Sequence, residues 1–184
     1  WLETSIKLGE PSTWYNDSAL PTWTTGTVYI VNSTATDTAG NIESTPDSNS
    51  FTYDTAEPST TITLPVDGAY YKSGDAIDSN ITGTATDALS EIDHVNITIY
   101  NSTDGKYWTG AAWQDDASWL NTNGTTSWYN DSAVPSWSDG KSYTVNSSAT
   151  DGAGNIESTD SNSFTYDSTA PTCTIEYNLS DDYF

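Results

Sequence analysis

The chain has almost no positive charge. Its 184 residues include four Lys and no Arg against 26 acidic residues, which gives a formal net charge of −22. Phosphate binding needs clustered cations, so nucleic acid is excluded as a partner, and anionic membrane surfaces are disfavoured for the same reason. The acidic balance favours metal cations, neutral glycans or other copies of the chain as partners.

Cysteine, histidine and long apolar runs are also scarce. Cys173 is the single cysteine, which excludes an internal disulfide. No apolar stretch approaches the ~20 residues of a transmembrane helix, so we expect no membrane insertion in this segment. The single histidine, His94, follows Asp93 in a strand-like stretch and has no patterned catalytic partner. General acid–base catalysis needs facing groups in contrasting environments, so the sequence predicts no enzyme.

The chain does contain a long internal repeat. Residues 14–53 return as residues 128–166, with an offset of 114 that becomes 113 because Pro46 has no counterpart. A repeat of this length is a whole domain. The sequence therefore predicts the C-terminal half of one repeat at residues 1–54, a complete repeat at residues 55–167, and the opening strand of a third at residues 168–184. We expect a longer parent protein or a partner strand to complete the half repeats.

The hydrophobic pattern is that of short strands. Thr, Ser, Asn, Asp and Gly dominate, and helix signals are absent. Tyr143, Val145, Ser147 and Ala149 alternate with polar residues, so they are predicted to point inward on one strand. The stretch 107–113 predicts a tight hairpin, and the stretch 77–85 reads as one alternating strand. About seven such strands predict an all-β, Greek-key β-sandwich in tandem copies.

Several motifs identify a family. "ATDTAGN" and "ATDGAGN" precede the last strand of each copy, "DSTAP" stands at a joint, "LPVDG" follows a first strand, and "ITGTATDALSEIDHVNITIY" lies within the complete copy at residues 81–100. These motifs resemble the bacterial and archaeal Ig-like tandem repeats of large surface proteins and adhesins. The resemblance covers nearly the whole chain and implies an Ig-like stalk or adhesin module with no reaction. Glu91 departs from it, because such repeats often have Gly after this Ser.

Acidic residues collect at turns and joints. Calcium takes six to eight oxygen ligands, and tandem Ig-like repeats hold metal at their joints, so Ca²⁺ is the expected cofactor. The alternative is a set of ordinary Asx turns on a solvated face. The candidate ligands are two turn-and-joint sets and one pair flanking a turn: Asp37, Asn41, Glu43, Asp54 and Glu57; Asp151, Asn155, Glu157 and Asp167; and Asp87 with Asp93.

Asn-X-Ser/Thr sequons are about twice as frequent as composition alone gives. Those on strands fall on the outward phase, where a sugar fits. The alternative is an Asn/Ser/Thr-rich surface with accidental sequons. The candidate glycosylation sites are Asn16, Asn32, Asn80, Asn96, Asn101, Asn123, Asn130, Asn146 and Asn178.

Eight Trp are many for this length, and exposed Trp faces stack on sugar rings. Several recur at equivalent positions of the two copies, however, which favours core and hairpin packing. The sequence thus predicts a structural module of an extracellular, cell-surface protein that forms a rod, stalk or fibre. Adhesion, to other cells or glycans, and polymerisation through strand exchange between copies of the chain are further expectations. The alternative is a carbohydrate-binding accessory module of a secreted enzyme.

Overall fold

A computed structural model describes residues 5–7, 13–15 and 20–176, and the chain divides into two compact units between Ala56 and Glu57. Apart from a 3-10 turn at Ala76–Asp78, the regular elements of these residues are strands. The prediction of an all-β sandwich fold is confirmed. Among the described residues there is no helix long and apolar enough to cross a lipid bilayer.

The first unit, Trp1–Ala56, contains two described antiparallel pairs. Strand β1 (Ser5–Lys7) pairs with β2 (Thr13–Tyr15), and β3 (Thr27–Ser33) pairs with β4 (Asp47–Tyr53). The β3–β4 register runs from Thr27 opposite Tyr53 to Ser33 opposite Asp47. This hairpin lies within residues 14–53, the part of the first unit that repeats in the second.

The second unit, Glu57–Phe184, is a sandwich of two sheets. Its described strands are β5 (Ser59–Leu64), β6 (Ala69–Tyr71), β7 (Ile81–Thr86), β8 (Ile92–Asn101), β9 (Lys106–Trp108), β10 (Trp113–Gln114), β11 (Leu120–Asn121), β12 (Ser127–Asn130), β13 (Lys141–Asp151) and β14 (Asp160–Tyr166). One sheet has the order β10-β9-β8-β13-β14-β6, with β11 also on β8, and the other has the order β12-β7-β5. All pairs are antiparallel except β14 with β6.

The core lies where the predicted inward residues meet. Tyr143, Val145, Ser147 and Ala149 are all buried on β13, as their alternation predicts. A hydrogen bond of 2.7 Å between the hydroxyls of Thr60 and Ser147 joins the two sheets through this layer. The apolar core thus forms between β5, β7 and β12 on one side and β8, β13 and β14 on the other.

The hairpin expected over residues 107–113 is present, with Trp108 opposite Trp113. The single strand expected over residues 77–85 is wrong in its first part, because Ile77 lies in the 3-10 turn and β7 begins at Ile81. Ile77 is nevertheless fully buried. A buried residue in a turn and an inward residue in a strand give the same apolar signal, so alternation alone did not separate them.

Gly83 lies directly beneath the Trp128 indole. A Cβ at this position would lie 2.0 Å from Trp128 Cζ2 and 2.4 Å from the Thr61 carbonyl oxygen. The indole N–H donates to the Thr84 carbonyl at 3.1 Å, which fixes the ring over the glycine. Trp128 is therefore a core residue, as its recurrence in the repeat indicates.

Candidate metal centre

The repeated segment, "ATDTAGN" in the first unit and "ATDGAGN" in the second, folds into the same turn in both units. In the second unit Asp151 Oδ1 accepts hydrogen bonds from the Ala153 and Asn155 backbone N–H groups at 2.9 and 2.8 Å, and Oδ2 accepts from Asn155 Nδ2 at 2.8 Å. In the first unit Asp37 accepts the equivalent bonds from Ala39 and Asn41 at 2.7–2.9 Å. These are Asx turns, which the short Asp and Asn side chains favour.

The structure brings Asp151 together with Asp87, which follows β7. A carboxylate oxygen of each lies within 4.8 Å of the other. Asp87 Oδ1 accepts the Leu89 and Ser90 backbone N–H groups at 2.8 and 2.7 Å. Asp87 Oδ2 is buried and has no hydrogen-bond partner among the described residues. This second oxygen is the one polar atom of the pair that the described residues leave unsatisfied.

Both carboxyls of this pair are held ionised. The backbone N–H groups of Ser90 and Leu89 lower the pKa of Asp87 below its ordinary value. Burial pushes the pKa of Asp151 upward, but the hydrogen bonds from Asn155 and Ala153 outweigh it, so this pKa is also lowered. Two unscreened charges about 5 Å apart repel by roughly 3 kcal/mol at an effective dielectric constant near 20. A bound cation would remove this repulsion.

A backbone contact holds the two loops at this distance. The Gly152 N–H donates to the Glu91 carbonyl at 3.0 Å, and a Cβ at Gly152 would lie 2.4 Å from the Ser90 carbonyl oxygen. Glu91 itself has a φ of 62°, in the left-handed region that glycine prefers. No local sequence pattern pairs Asp87 with Asp151, because they are distant in the chain and meet only where two loops close one end of the sandwich.

Other predicted ligands lie elsewhere or have other partners. Asp93 is exposed on β8, and its carboxylate hydrogen-bonds His94 Nδ1 at 2.9 Å. Glu157 is bound on both oxygens, by the Thr60 N–H at 2.6 Å and the Ala149 N–H at 3.1 Å. It therefore serves to connect β5 with β13.

In each of the two predicted turn-and-joint sets, the turn residues and the joint residues lie at opposite ends of a strand. Asp167 follows Tyr166, which pairs with Lys141 at the opposite end of β13 from Asp151, roughly 30 Å away at ~3.3 Å per residue. The structure therefore does not bring Asp167 together with Asp151, Asn155 and Glu157.

In the first unit, Asp54 follows the Tyr53 end of the hairpin, whereas Asp37, Asn41 and Glu43 lie beyond the Ser33 end. Asp54 is buried and its Oδ1 accepts the Ala56 N–H at 2.8 Å. Glu57, the first residue of the second unit, is exposed.

The sequon asparagines differ in their exposure and in the hydrogen bonds that their Nδ2 atoms donate. Asn101 and Asn130 are buried, and their Nδ2 atoms donate to Asp104 at 3.0 Å and to the Asn121 carbonyl at 3.2 Å. Asn32 and Asn123 are exposed. The half-buried sequon residues are Asn80, Asn96 and Asn146, and Asn146 donates to Thr98 at 2.9 Å. Asn16 and Asn178 lie outside the described residues.

The described tryptophans do not form an exposed row. Trp128 is buried, and the half-buried Trp108 and Trp137 donate their indole N–H groups to the Ala133 and Ile77 carbonyls at 2.6 and 2.9 Å. Trp119 is the one exposed Trp among residues 20–176. A flat stacking platform for sugar rings is therefore not present in this part of the chain.

No curated protein matches the chain. A solved structure, the crystal structure of a tetra-tandem repeat in the extending region of a large adhesion protein, matches at 23% identity and a TM-score of 0.43, over 78% of this chain and 32% of that one. This chain thus spans about a third of the length of that protein. The family model described as "Bacterial Ig-like domain" matches residues 45–168. The chain belongs to the bacterial Ig-like domain family.

Proposed function

We propose that the chain is a stalk segment of an extracellular surface protein, in which repeats with boundaries near Asp54 and Asp167 follow one another as a rod. The observation that carries this proposal is the repeat itself, because two copies within one chain share the same hairpin, aromatic cluster and Asx turn. The match to the bacterial Ig-like domain family supports a structural rather than a catalytic role.

Two features of the joints, a short turn and a proline, favour a stiff connection between successive repeats. Asp54 Oδ1 accepts the Ala56 N–H at 2.8 Å, and Asp167 Oδ1 accepts the Thr169 N–H at 3.0 Å, so both joints begin with the same short turn. Pro58 and Pro171 follow at equivalent positions. Proline fixes φ and therefore reduces the number of conformations that a linker samples. Adhesion, whether through other domains or through lateral contacts with glycans, other cells or further copies, would then act at the end or along the side of the rod.

Small-angle X-ray scattering on chains of one, two and four complete repeats tests the rod. A strand of eleven residues is ~36 Å long, so we expect the maximum dimension to grow linearly by roughly 40 Å per repeat. The matched control replaces each joint by a Gly/Ser run of equal length, which should give a shorter and broader distribution of distances. Equal curves for the two series would rule out a stiff rod.

Calcium binding at the Asp87–Asp151 pair is the second part of the proposal. The unsatisfied Asp87 Oδ2 and the proximity of two ionised carboxyls support it. Calcium prefers carboxylate oxygen, and the residues named supply two ligands of the six to eight that it takes, so other oxygens must complete the shell.

Removing calcium is expected to lower the melting temperature of the second unit. At a free Ca²⁺ concentration about 100-fold above the dissociation constant, a bound ion raises the free energy of unfolding by about 2.7 kcal/mol, which raises Tm by roughly 10 °C. Scanning calorimetry in Ca²⁺ and in EGTA measures this difference. Asp87→Asn should abolish it, whereas Asp116→Asn, a change in an exposed loop, should retain it. Identical Tm values of the unmodified chain in Ca²⁺ and in EGTA would exclude the site.

N-linked glycans belong, on this proposal, on Asn32 and Asn123, because their side chains are exposed. The Nδ2 atoms of Asn101 and Asn130 are buried and already donate hydrogen bonds, and a sugar on Nδ2 would have to enter the packed interior. Glycopeptide mapping of protein from its native source should find the first pair occupied and the second bare. The reverse pattern would contradict the assignment.

A further inference from the structure

The inward face of the β3–β4 hairpin has the sequence of a core but is not covered like one. Val145 and Phe164 of the second unit are 0% and 2% exposed, whereas their counterparts Val31 and Phe51 in the first unit are 43% and 41% exposed. We call the surface formed by Tyr29, Val31, Ser33, Asn49 and Phe51 the acceptor face. The same residue types are thus in place in both units, and only one of the two is packed.

The aromatic side chains beside this face are already arranged as in the packed unit. Trp23 lies 4.6 Å from Tyr29 and 5.3 Å from Phe51 between ring centroids. The equivalent distances in the second unit, from Trp137 to Tyr143 and to Phe164, are 4.8 and 5.0 Å. Little rearrangement is needed before the acceptor face can be covered.

The complete unit shows which segment covers such a face. Strand β8 pairs with the edge of β13 that lies opposite β14, with Ile99 opposite Val145. Strand β5, from the other sheet, packs across the inward face. Among the described residues, β3 pairs with β4 alone. Residues 20–176 therefore supply the acceptor face with no counterpart of the two strands, β5 and β8, that cover the equivalent face of the second unit.

Three polar side chains hold β5 in the complete unit. Glu157 Oε1 accepts the Thr60 N–H at 2.6 Å and Asp160 Oδ2 accepts the Ile62 N–H at 3.2 Å. Asn162 Nδ2 donates to the Ile62 and Pro65 carbonyls at 3.1 and 2.8 Å. These bonds are made to backbone groups, so they recognise an extended strand in a defined register.

The first unit carries the same three side chains at the equivalent positions: Glu43, Asp47 and Asn49. Glu43 Oε2 accepts the Ala35 N–H at 3.1 Å, as Glu157 Oε2 accepts the Ala149 N–H at 3.1 Å. The carboxylate is therefore oriented by the same local bond, and its Oε1 corresponds to the atom that holds Thr60 in the second unit.

We infer that the acceptor face binds a first half-repeat of the same polypeptide, a segment equivalent to Glu57–Ser118, which completes the sandwich of the first unit. Glu43, Asp47 and Asn49 fix the opening strand of that segment. This inference rests on the proposed function and names the partner and the register of a repeat within the array.

A second copy of the chain is the competing occupant. Its residues 171–176 are exposed and equivalent to residues 58–63, which begin with the same proline and include β5 up to Thr63. Such a tail brings a β5 counterpart but no β8 counterpart. It would leave the free edge of β3 unpaired, so the first half of a repeat satisfies more of the acceptor face.

The test uses the full chain with a second copy of residues 57–118 joined directly before Trp1, because Trp1-Leu2 matches Trp119-Leu120. Hydrogen exchange of peptides that span β3 and β4 is followed by mass spectrometry. We expect exchange at least about tenfold slower than in the unextended chain. In the extended chain, Asn49→Ala should raise the exchange rate of β3 and β4 at least halfway back to that of the unextended chain. Ser48→Ala, on the opposite face of β4, should leave the exchange rate unchanged.

Unchanged exchange of β3 and β4 in the extended chain, with β13 and β14 still protected, would overturn the inference. It would also be overturned if the unextended chain, at rising concentration, gained protection in β3, β4 and residues 171–176 together, because the occupant would then be a second copy. Neither result affects the scattering test of the rod, so failure of this inference and failure of the proposed function are distinguishable.

Discussion

At the residue scale, Glu91 carries the clearest local strain. It is the one non-glycine residue with positive φ in the described part of the chain, at 62°. The left-handed conformation costs an L-residue with a Cβ about 1 kcal/mol, whereas glycine adopts it without this cost. The position is kept in this conformation by the hydrogen bond from the Gly152 N–H to its carbonyl.

Glu91→Gly is therefore expected to raise the free energy of unfolding of the second unit by about 1 kcal/mol. The matched control is Glu91→Ala, which removes the charge but keeps the Cβ and should change stability by less than about 0.5 kcal/mol. Urea unfolding followed by Trp fluorescence measures both. A glycine variant no more stable than the alanine variant would show that the backbone here is not strained.

At the scale of elements, Asp139 ties the two ends of the β13–β14 hairpin together. It precedes β13, and its carboxylate accepts hydrogen bonds from the Ser168 N–H at 2.5 Å and the Thr169 hydroxyl at 2.6 Å, beyond the end of β14. The first unit makes the same link without a charge, because Thr25 Oγ1 accepts the Thr55 N–H at 2.7 Å. The two copies thus offer an ionisable and a neutral version of one contact.

The pH dependence of stability should distinguish the two versions. The hydrogen bonds from Thr169 and Ser168 lower the pKa of Asp139 below its ordinary value of 3.8. The unfolded chain then binds more protons in this range, so the contribution of Asp139 is complete above pH 3.8 and is lost as pH falls through the folded-state pKa.

Asp139→Thr, which copies the first unit, should therefore lose less stability on acidification than the unmodified chain. Thermal unfolding from about pH 5 to about pH 2 measures the difference, and the gap in Tm between the two should narrow or reverse toward the acid end. A gap that stays constant with pH would mean that Asp139 titrates alike in the folded and unfolded chain.

At the scale of the whole molecule, one heptapeptide occurs in two environments. The sequence DSNSFTY forms β4 at Asp47–Tyr53 and β14 at Asp160–Tyr166. In β14 the Phe and the last Tyr are buried, whereas in β4 all residues but the last are exposed. Local stability follows buried contacts, so the two copies should differ in spite of their identical sequence.

Hydrogen exchange is expected to be about a hundredfold faster in β4 than in β14. Mass spectrometry separates the two peptides, because the residues before them differ. The intrinsic exchange rates are nearly the same for both, so the comparison needs no correction for sequence. Equal exchange rates would mean that the first unit is as stable as the second, and that the exposure of its inward face carries no energetic consequence.

Much of the fold followed from local pattern. The alternation of Tyr143, Val145, Ser147 and Ala149 predicted one buried face correctly, because side chains on a strand alternate with a period of two. The candidate metal pair did not follow from pattern. The sequence places Asp87 and Asp93 on either side of one turn, whereas the structure brings the Asp87 carboxylate to within 4.8 Å of the Asp151 carboxylate. Which loops meet at the end of a sandwich depends on strand order, and a single sequence does not report strand order.

The sequence by itself determined that the chain is all-β, repeated and Ig-like, and which side of each strand is apolar. Those properties depend on residues close together in the chain. Only the tertiary structure decided which copy of the inward face is packed, because burial requires strands from distant parts of the chain. The identical residues of β4 and β14 make the reason plain: a core forms where a second sheet is present to cover the first, whatever the sequence of the covered strand.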